Sequence, residues 1–400
     1  KHRIMTDKLK RYAILSIVSL ALASCDTSTV DPVDPTDPNQ VDGLKVISSN
    51  ITSNTTWYSD TIYQLGSRVS VTSGVTLIIE AGTVIKGEAG SGSNATALVI
   101  SRGAKIMARG TVSAPIVFTS VADELSPENI ASGNFASPNL EPTVNGLWGG
   151  LIILGNAKIS ASNTTGDVSE VQIEGIPTSD SNGLYGGTDD MDNSGEIKYV
   201  SIRHGGANIG SGNEINGLTM GGVGSGTLIQ NVEVVANQDD GFECFGGTVN
   251  LNNIVSWNVG DDGFDTDQSW AGTLDNFIII SPDGHCFELD GPEGNYKASH
   301  TIKNGHVIAN GDNQSGDLIN IDDNSRVSLQ DIYFMDVLPG QQINRVTASD
   351  VSYSGIVLDV DTVDKYVNGT VPAGITAGQT PKADINVFSW TWAQSAGIIK

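Results

Sequence analysis

Positive charge is the scarcest feature of this 400-residue chain: 21 Lys and Arg stand against 46 Asp and Glu, a formal net charge of −25. Such a surface repels phosphate backbones and anionic membranes, which excludes nucleic acid as a direct partner. An anionic polymer can bind only where divalent ions bridge the two negative surfaces. Cysteine is nearly as rare, with three residues at 25, 244 and 286. Helical periodicity is almost absent, and no glycine loop feeds a helix in the manner of a phosphate cradle. No Ser-His-Asp grouping is visible. His204, His285, His300 and His306 lack paired metal-ligand spacing and read as surface or turn residues. After the first two dozen residues, no apolar run is long enough to cross a bilayer.

The N-terminal segment has its own character. Lys8, Lys10 and Arg11 precede an apolar stretch at 12–23 that is too short for a stable span, the pattern of an export signal. Leu22-Ala23-Ser24-Cys25 matches the bacterial lipobox, in which Cys25 is acylated and becomes the first mature residue. An ordinary signal peptide with a chance cysteine is the alternative, and Met5 is a candidate start. Residues 25–44 include three Asp-Pro steps and read as an acidic, extended tether. Without residues 1–24 the remaining chain carries −29. The expectation is a lipid-anchored protein of the cell envelope, in the outer membrane or on the cell surface of a Gram-negative-type bacterium. The anchor is then its only membrane contact.

What is abundant is glycine, at 47 residues, and short β-rich runs separated by Gly, Asn, Asp and Ser. Leu228, Leu251 and Leu274 each open such a run, 23 residues apart. The pentapeptide DDGFE at 239–243 returns as DDGFD at 261–265, and in degraded form as DGHCFE at 283–288. A constant period of this length predicts an all-β, right-handed parallel β-helix, a solenoid whose rungs stack about 4.8 Å apart. The expected body covers 45–352, with loops projecting at 121–147 and 176–195. Residues 353–400 lose the repeat and read as a C-terminal cap, in which 388–392 closes the open end of the core. Sugar stacking by Trp390 and Trp392 is the sharper alternative. Asn at the recurrent corner tolerates left-handed dihedrals.

In-register motifs stack Phe242, Phe264 and Phe287. Cys244 then shares the core-facing parity, whereas Cys286 has the opposite parity and lies two rungs away, about 9.6 Å at the rung spacing. That exceeds disulfide reach, so one buried and one semi-exposed free thiol are expected.

The same register crowds acids along one edge: Asp240 with Glu243, Asp262 with Asp265, Asp283 with Glu288, and further along Asp317 with Asp322. Two charges at rung spacing repel by roughly 1 kcal/mol in water and several times that near a protein surface. A bound cation reverses that sign. The competing reading has aspartates only capping turns through backbone N–H groups. The 188–195 loop is a second oxygen-rich turn, without the spacing of an EF-hand. Trp257 and Trp270 flank the acidic motif, either to stack on sugars or to pack on a neighbouring loop.

The stretches 77–87, 102–120, 146–157, 171–175, 184–206, 213–227, 239–250 and 261–272 together resemble bacterial secreted or lipid-anchored parallel β-helix proteins of unsettled function. More narrowly, WNVGDDGFD at 257–265 resembles the calcium site of parallel β-helix pectate lyases. Carried over, the resemblance implies Ca2+ on Asp239 or Asp240 together with Asp261, Asp262 and Asp265; Glu243, Asp283, Glu288 and Asp290 are accessory acids. Those lyases remove a proton with a lysine on a following rung, and here that position holds Glu288. Lys297 and Lys303 lie nearby but outside the matching strand. The leading expectation is therefore a non-catalytic surface module that binds Ca2+ and, through it, an acidic glycan or another surface protein. A Ca2+-dependent uronate lyase and an inert surface stalk are the alternatives.

Overall fold

A computed structural model describes residues 43–209, 215–310 and 316–399. The expected leader, the Cys25 lipobox and nearly all of the tether lie outside the described residues. No helix among the described residues is long and apolar enough to cross a membrane.

The backbone winds as a right-handed parallel β-helix. One eight-stranded sheet runs through Arg68–Val71, Ala97–Ile100, Leu151–Leu154, Leu218–Gly221, Phe242–Phe245, Phe264–Asp267, Phe287–Leu289 and Asn320–Ile321. The rest of each turn belongs to a larger sheet. Its early rungs are split, and strand Gly195–Arg203 joins the two parts: its first half pairs with Lys105–Arg109 and its second with Ile116–Ser120. Tyr199, between the halves, has φ 50.

Later rungs keep this bend inside one long strand. Asn231, Asn253, Asn276, Asn304 and Asp331 occupy it with φ between 51 and 60. Asn and Asp tolerate that region because their short polar side chains bond locally. Asn253 Nδ2 donates to Asn231 Oδ1 at 3.0 Å, and Asn276 Nδ2 to Asn253 Oδ1 at 2.7 Å. The corner asparagines read from sequence are thus a hydrogen-bonded ladder.

Inside, Leu98, Leu151, Leu218, Phe242, Phe264 and Phe287 stand in one register column, all fully buried. Cys244 lies in the adjacent inward column, between Met220 and Thr266. Both cysteines are free and buried, so the expectation of a semi-exposed Cys286 fails. Strand parity does not apply to Cys286: it sits in the corner before its strand, and the corner turns its side chain into the core.

Coiling also outlasts the expected boundary at 352. Ile356–Leu358 pairs with Arg326–Met335, and Ile375–Ala377 pairs with Ile356–Leu358. The 388–392 segment does not close the open end. Phe388 and Trp392 pack on Val235, Val255, Trp257, Ile278 and Ile280, the outer flank of the long sheet. Val235, Trp257, Ile280 and Ile308 stack in register there, an apolar outer stripe that needs cover. Under this strap Arg203 Nη2 lies 3.8 Å from Glu233 Oε2, both residues fully or almost fully buried. Ala393 N donates to Glu233 Oε1 at 2.9 Å, and the Arg203 guanidinium lies 4.9 Å over the Trp392 ring.

Removing one partner of a buried ion pair strands the other charge. Glu233→Ala should therefore cost about 3–5 kcal/mol in urea unfolding and make the strap protease-sensitive. A loss below about 1 kcal/mol, the worth of an exposed pair, would contradict this account.

Candidate cation-binding face

On the outer side of the short sheet, one column reads Ser70, Val99, Ile152, Thr219, Glu243, Asp265, Glu288, Asn320. At Val99 and Ile152 it is apolar and covered: Ile159, Ile173, Ile176 and Tyr185, from the loops between strands Leu151–Leu154 and Gly195–Arg203, pack over them. At the later rungs the same column turns acidic. Two positions on, Asp267 starts a second line. The backbone N–H of Asp290 donates to Thr266 O at 2.8 Å and that of Asp322 to Leu289 O at 3.2 Å, placing both on successive rungs.

The corner before the sheet adds a third line. Asp262 N donates to Asp240 Oδ1 at 2.8 Å, and His285 N donates to Asp262 Oδ1. Turn capping is therefore real, but it occupies one oxygen of each carboxylate. Asp283 is not the third member of this line. DGHCFE carries one more residue than DDGFE before its phenylalanine, so Asp283 slips back beside Val259 and His285 takes the aspartate's place. His285 was read as an ordinary turn residue; its Nδ1 lies 3.0 Å from Asp262 Oδ1. His204, His300 and His306 are buried rather than exposed, His300 against Trp270 at 5.1 Å.

Three groups bring ligand atoms within 4.8 Å of one another: Asp239, Asp240 and Asp261; Asp240, Glu243 and Asp265; Asp262, His285 and Glu288. All five aspartates carried over from the lyase site are thus gathered on one face, and Asp265 groups with the accessory acid Glu243. Asp290 stands on the second line. Asp267 was missed, although the period of two from Asp265 points to it; Glu174 and Glu293, which also charge this face, come from loops that no register identifies.

Burial, then mutual repulsion, pushes the Asp240, Glu243 and Asp265 carboxyls far above the usual carboxylate range. Asp267 rises to about 7 through burial and Asp290, and Asp290 to about 6 through burial and Asp322. Glu288 is pushed up to about 8 by burial and its hydrogen bond with Asp262. Burial opposes charge on His285, but the Asp262 hydrogen bond and surrounding carboxylates outweigh it and raise the imidazole. Among the described residues no ion pair joins Lys or Arg to Asp240, Glu243 or Asp265; Arg345 sits at the far end, 3.2 Å from Asp322.

The donors fit a hard divalent cation. Oxygens within 4.8 Å of each other can be spanned by one ion with bonds of about 2.3–2.6 Å. Asp265 Oδ1 is buried without a hydrogen-bond partner, a cost that a cation would remove.

Other expected ligand groups dissolve. In the 188–195 loop, Lys158 Nζ lies 2.8 Å from Asp190, while Asn156 and Ser194 donate to Asp192, so the oxygens of these two aspartates are already used. Trp257 packs edge-on against Trp392 at 5.7 Å, and Trp270 Nε1 donates to Val249 O at 3.0 Å. Trp390 is buried as well. None of these faces is open to a sugar. Lys303 pairs with Asp275 at 3.2 Å on the long sheet, away from the acidic face, and Lys297 is exposed on a loop.

Raised carboxyls stabilise the fold where they stay protonated and the unfolded chain does not demand ionisation. That contribution is complete below the ordinary values of 3.8 and 4.5 and is lost as pH rises through about 6 to 8. The raised His285 acts in the same direction. In chelator, Tm should therefore fall from about pH 5 to about pH 8, with Ca2+ restoring it at pH 8. A flat or rising Tm across that window would refute the assignment.

The model of a family described as a pectate-lyase-like β-helix domain matches residues 49–371. No curated protein and no solved structure is similar enough to add to this. With most of its length matched, and with the coil and register described above, the chain belongs to the pectate-lyase-like β-helix domain family.

Proposed function

We propose that this protein is a non-catalytic binding module of the cell surface, held there by a lipid on Cys25, that takes up Ca2+ and uses it to bind an acidic glycan. The observation that carries this reading is the acidic face itself: Asp240, Glu243 and Asp265 converge without a basic partner among the described residues. Asp239 and Asp261 lie at its more open edge, Asp261 exposed. An ion held there keeps coordination positions free for a polymer carboxylate, and it reverses the repulsion between two anionic surfaces.

Elimination from a uronate needs a base at the carbon beside the carboxylate. In the strand where the lyase resemblance places that base stands Glu288, raised to about 8 and accepting from Asn320 Nδ2 at 2.7 Å. With no ion beside it this carboxyl keeps its proton near neutral pH, and protonated or ionised it brings no positive charge to a polyanion. The fold is therefore read as retained for binding.

Isothermal titration of the full chain in detergent should give Ca2+ binding heat, weakened at least tenfold, about 1.4 kcal/mol, by Asp262→Ala and by Asp265→Ala. A glycan array should retain acidic polymers with Ca2+ and lose them with chelator. Unsaturated, ultraviolet-absorbing products from pectate or alginate would replace this reading with a lyase. A Ca2+-dependent rise in Tm with no glycan retained would leave a structural stalk or a protein partner.

A further inference from the structure

We infer that the acidic face holds two divalent ions rather than one, the second sealed within it on Asp240, Glu243 and Asp265 and completed by the side-chain amide of Asn216. This rests on the proposed reading of the face as a Ca2+ binder, and it divides that face into a working ion and a structural one.

Exposure separates the two places. Asp240, Glu243 and Asp265 are 7%, 6% and 9% exposed. The group Asp239, Asp240 and Asp261 shares only Asp240 with them and reaches solvent through Asp261. A polymer can meet an ion at the second group and not at the first.

Asn216 sits in the turn before strand Leu218–Gly221, one rung earlier than Glu243, and is 1% exposed. Its Nδ2 donates to Glu243 Oε2, while its Oδ1 is buried with no hydrogen-bond partner among the described residues. Asp265 Oδ1 is in the same condition. Two orphaned acceptors beside one buried carboxylate cluster are costly without a cation, since each has given up water for nothing. The set offers three carboxylates and one amide oxygen, and no thiolate or imidazole. That chemistry selects a hard ion with flexible coordination, Ca2+ ahead of Zn2+. Residues from three consecutive rungs would meet at it, so the ion would tie successive turns together.

Equilibrium dialysis of the full chain with Ca2+ counts the ions, and Tb3+ luminescence lifetimes in H2O and D2O count the waters on each. Wild type should bind two ions, one nearly dry. Asp261→Asn should remove the hydrated ion and keep the dry one, along with most of the Ca2+-dependent rise in Tm. Glu243→Gln keeps the shape and removes the charge; it should lose the dry ion and keep the hydrated one. Asn216→Leu, which alters no carboxylate, should weaken the dry ion tenfold or more and serves if Glu243→Gln fails to fold. A single ion abolished by Asp261→Asn, or two ions both retained by Glu243→Gln, would overturn the sealed site while leaving the exposed one standing. No bound ion at all would remove the Ca2+ reading of the whole face.

Discussion

A parallel coil forces equivalent side chains into vertical lines about 4.8 Å apart, and that constraint governs everything else in this molecule. Within the wall it is favourable. Leu218, Phe242, Phe264 and Phe287 stack into a continuous apolar column, each adding buried surface to the last. At the corners it lets asparagine side chains hand hydrogen bonds from rung to rung. On the outer surface the same geometry multiplies whatever is placed there, whether an apolar stripe or a line of charge.

The chain deals with its outer lines in different ways. Val99 and Ile152 are roofed by the projecting loops, and Val235, Trp257 and Ile280 by the C-terminal strap. The line Glu243, Asp265, Glu288 has no such neutral solution: its members crowd within one face, raise one another's proton affinity and pair with no arginine or lysine among the described residues. Stacked carboxylates can be neutralised by protons or by a metal. Burial and mutual repulsion favour the protonated form of the deepest ones, and under the proposed reading a divalent ion would favour the ionised form instead and create a positive centre on an otherwise anionic protein.

The β-helix supplies a straight, acidic face whatever its chemistry. Under the proposed reading, binding needs only that face, whereas a reaction would need a further group that Glu288, its carboxyl raised to about 8, does not supply. Function in such a scaffold belongs to the site and not to the coil.

The repeat was legible because a solenoid writes its period directly into the chain. Leucine and phenylalanine spacing gave the rungs, and the two intact pentapeptides gave the acidic face, down to Asp240, Asp262 and Asp265. Degraded copies misled: the extra residue in DGHCFE put Asp283 where His285 belongs, since register is counted from the strand and not from the first aspartate. For Trp257, Trp270 and Trp392 stacking and packing both stayed open, because sequence shows only that a residue is aromatic, not what lies over it. Period and parity alone determined which residues share a line. What covers each line, which carboxylates lie too deep for a polymer to reach, and where Asn216, Glu174 and Glu293 enter the face were decided by loops and by a strap distant in sequence, because burial is a property of the neighbours that folding brings together.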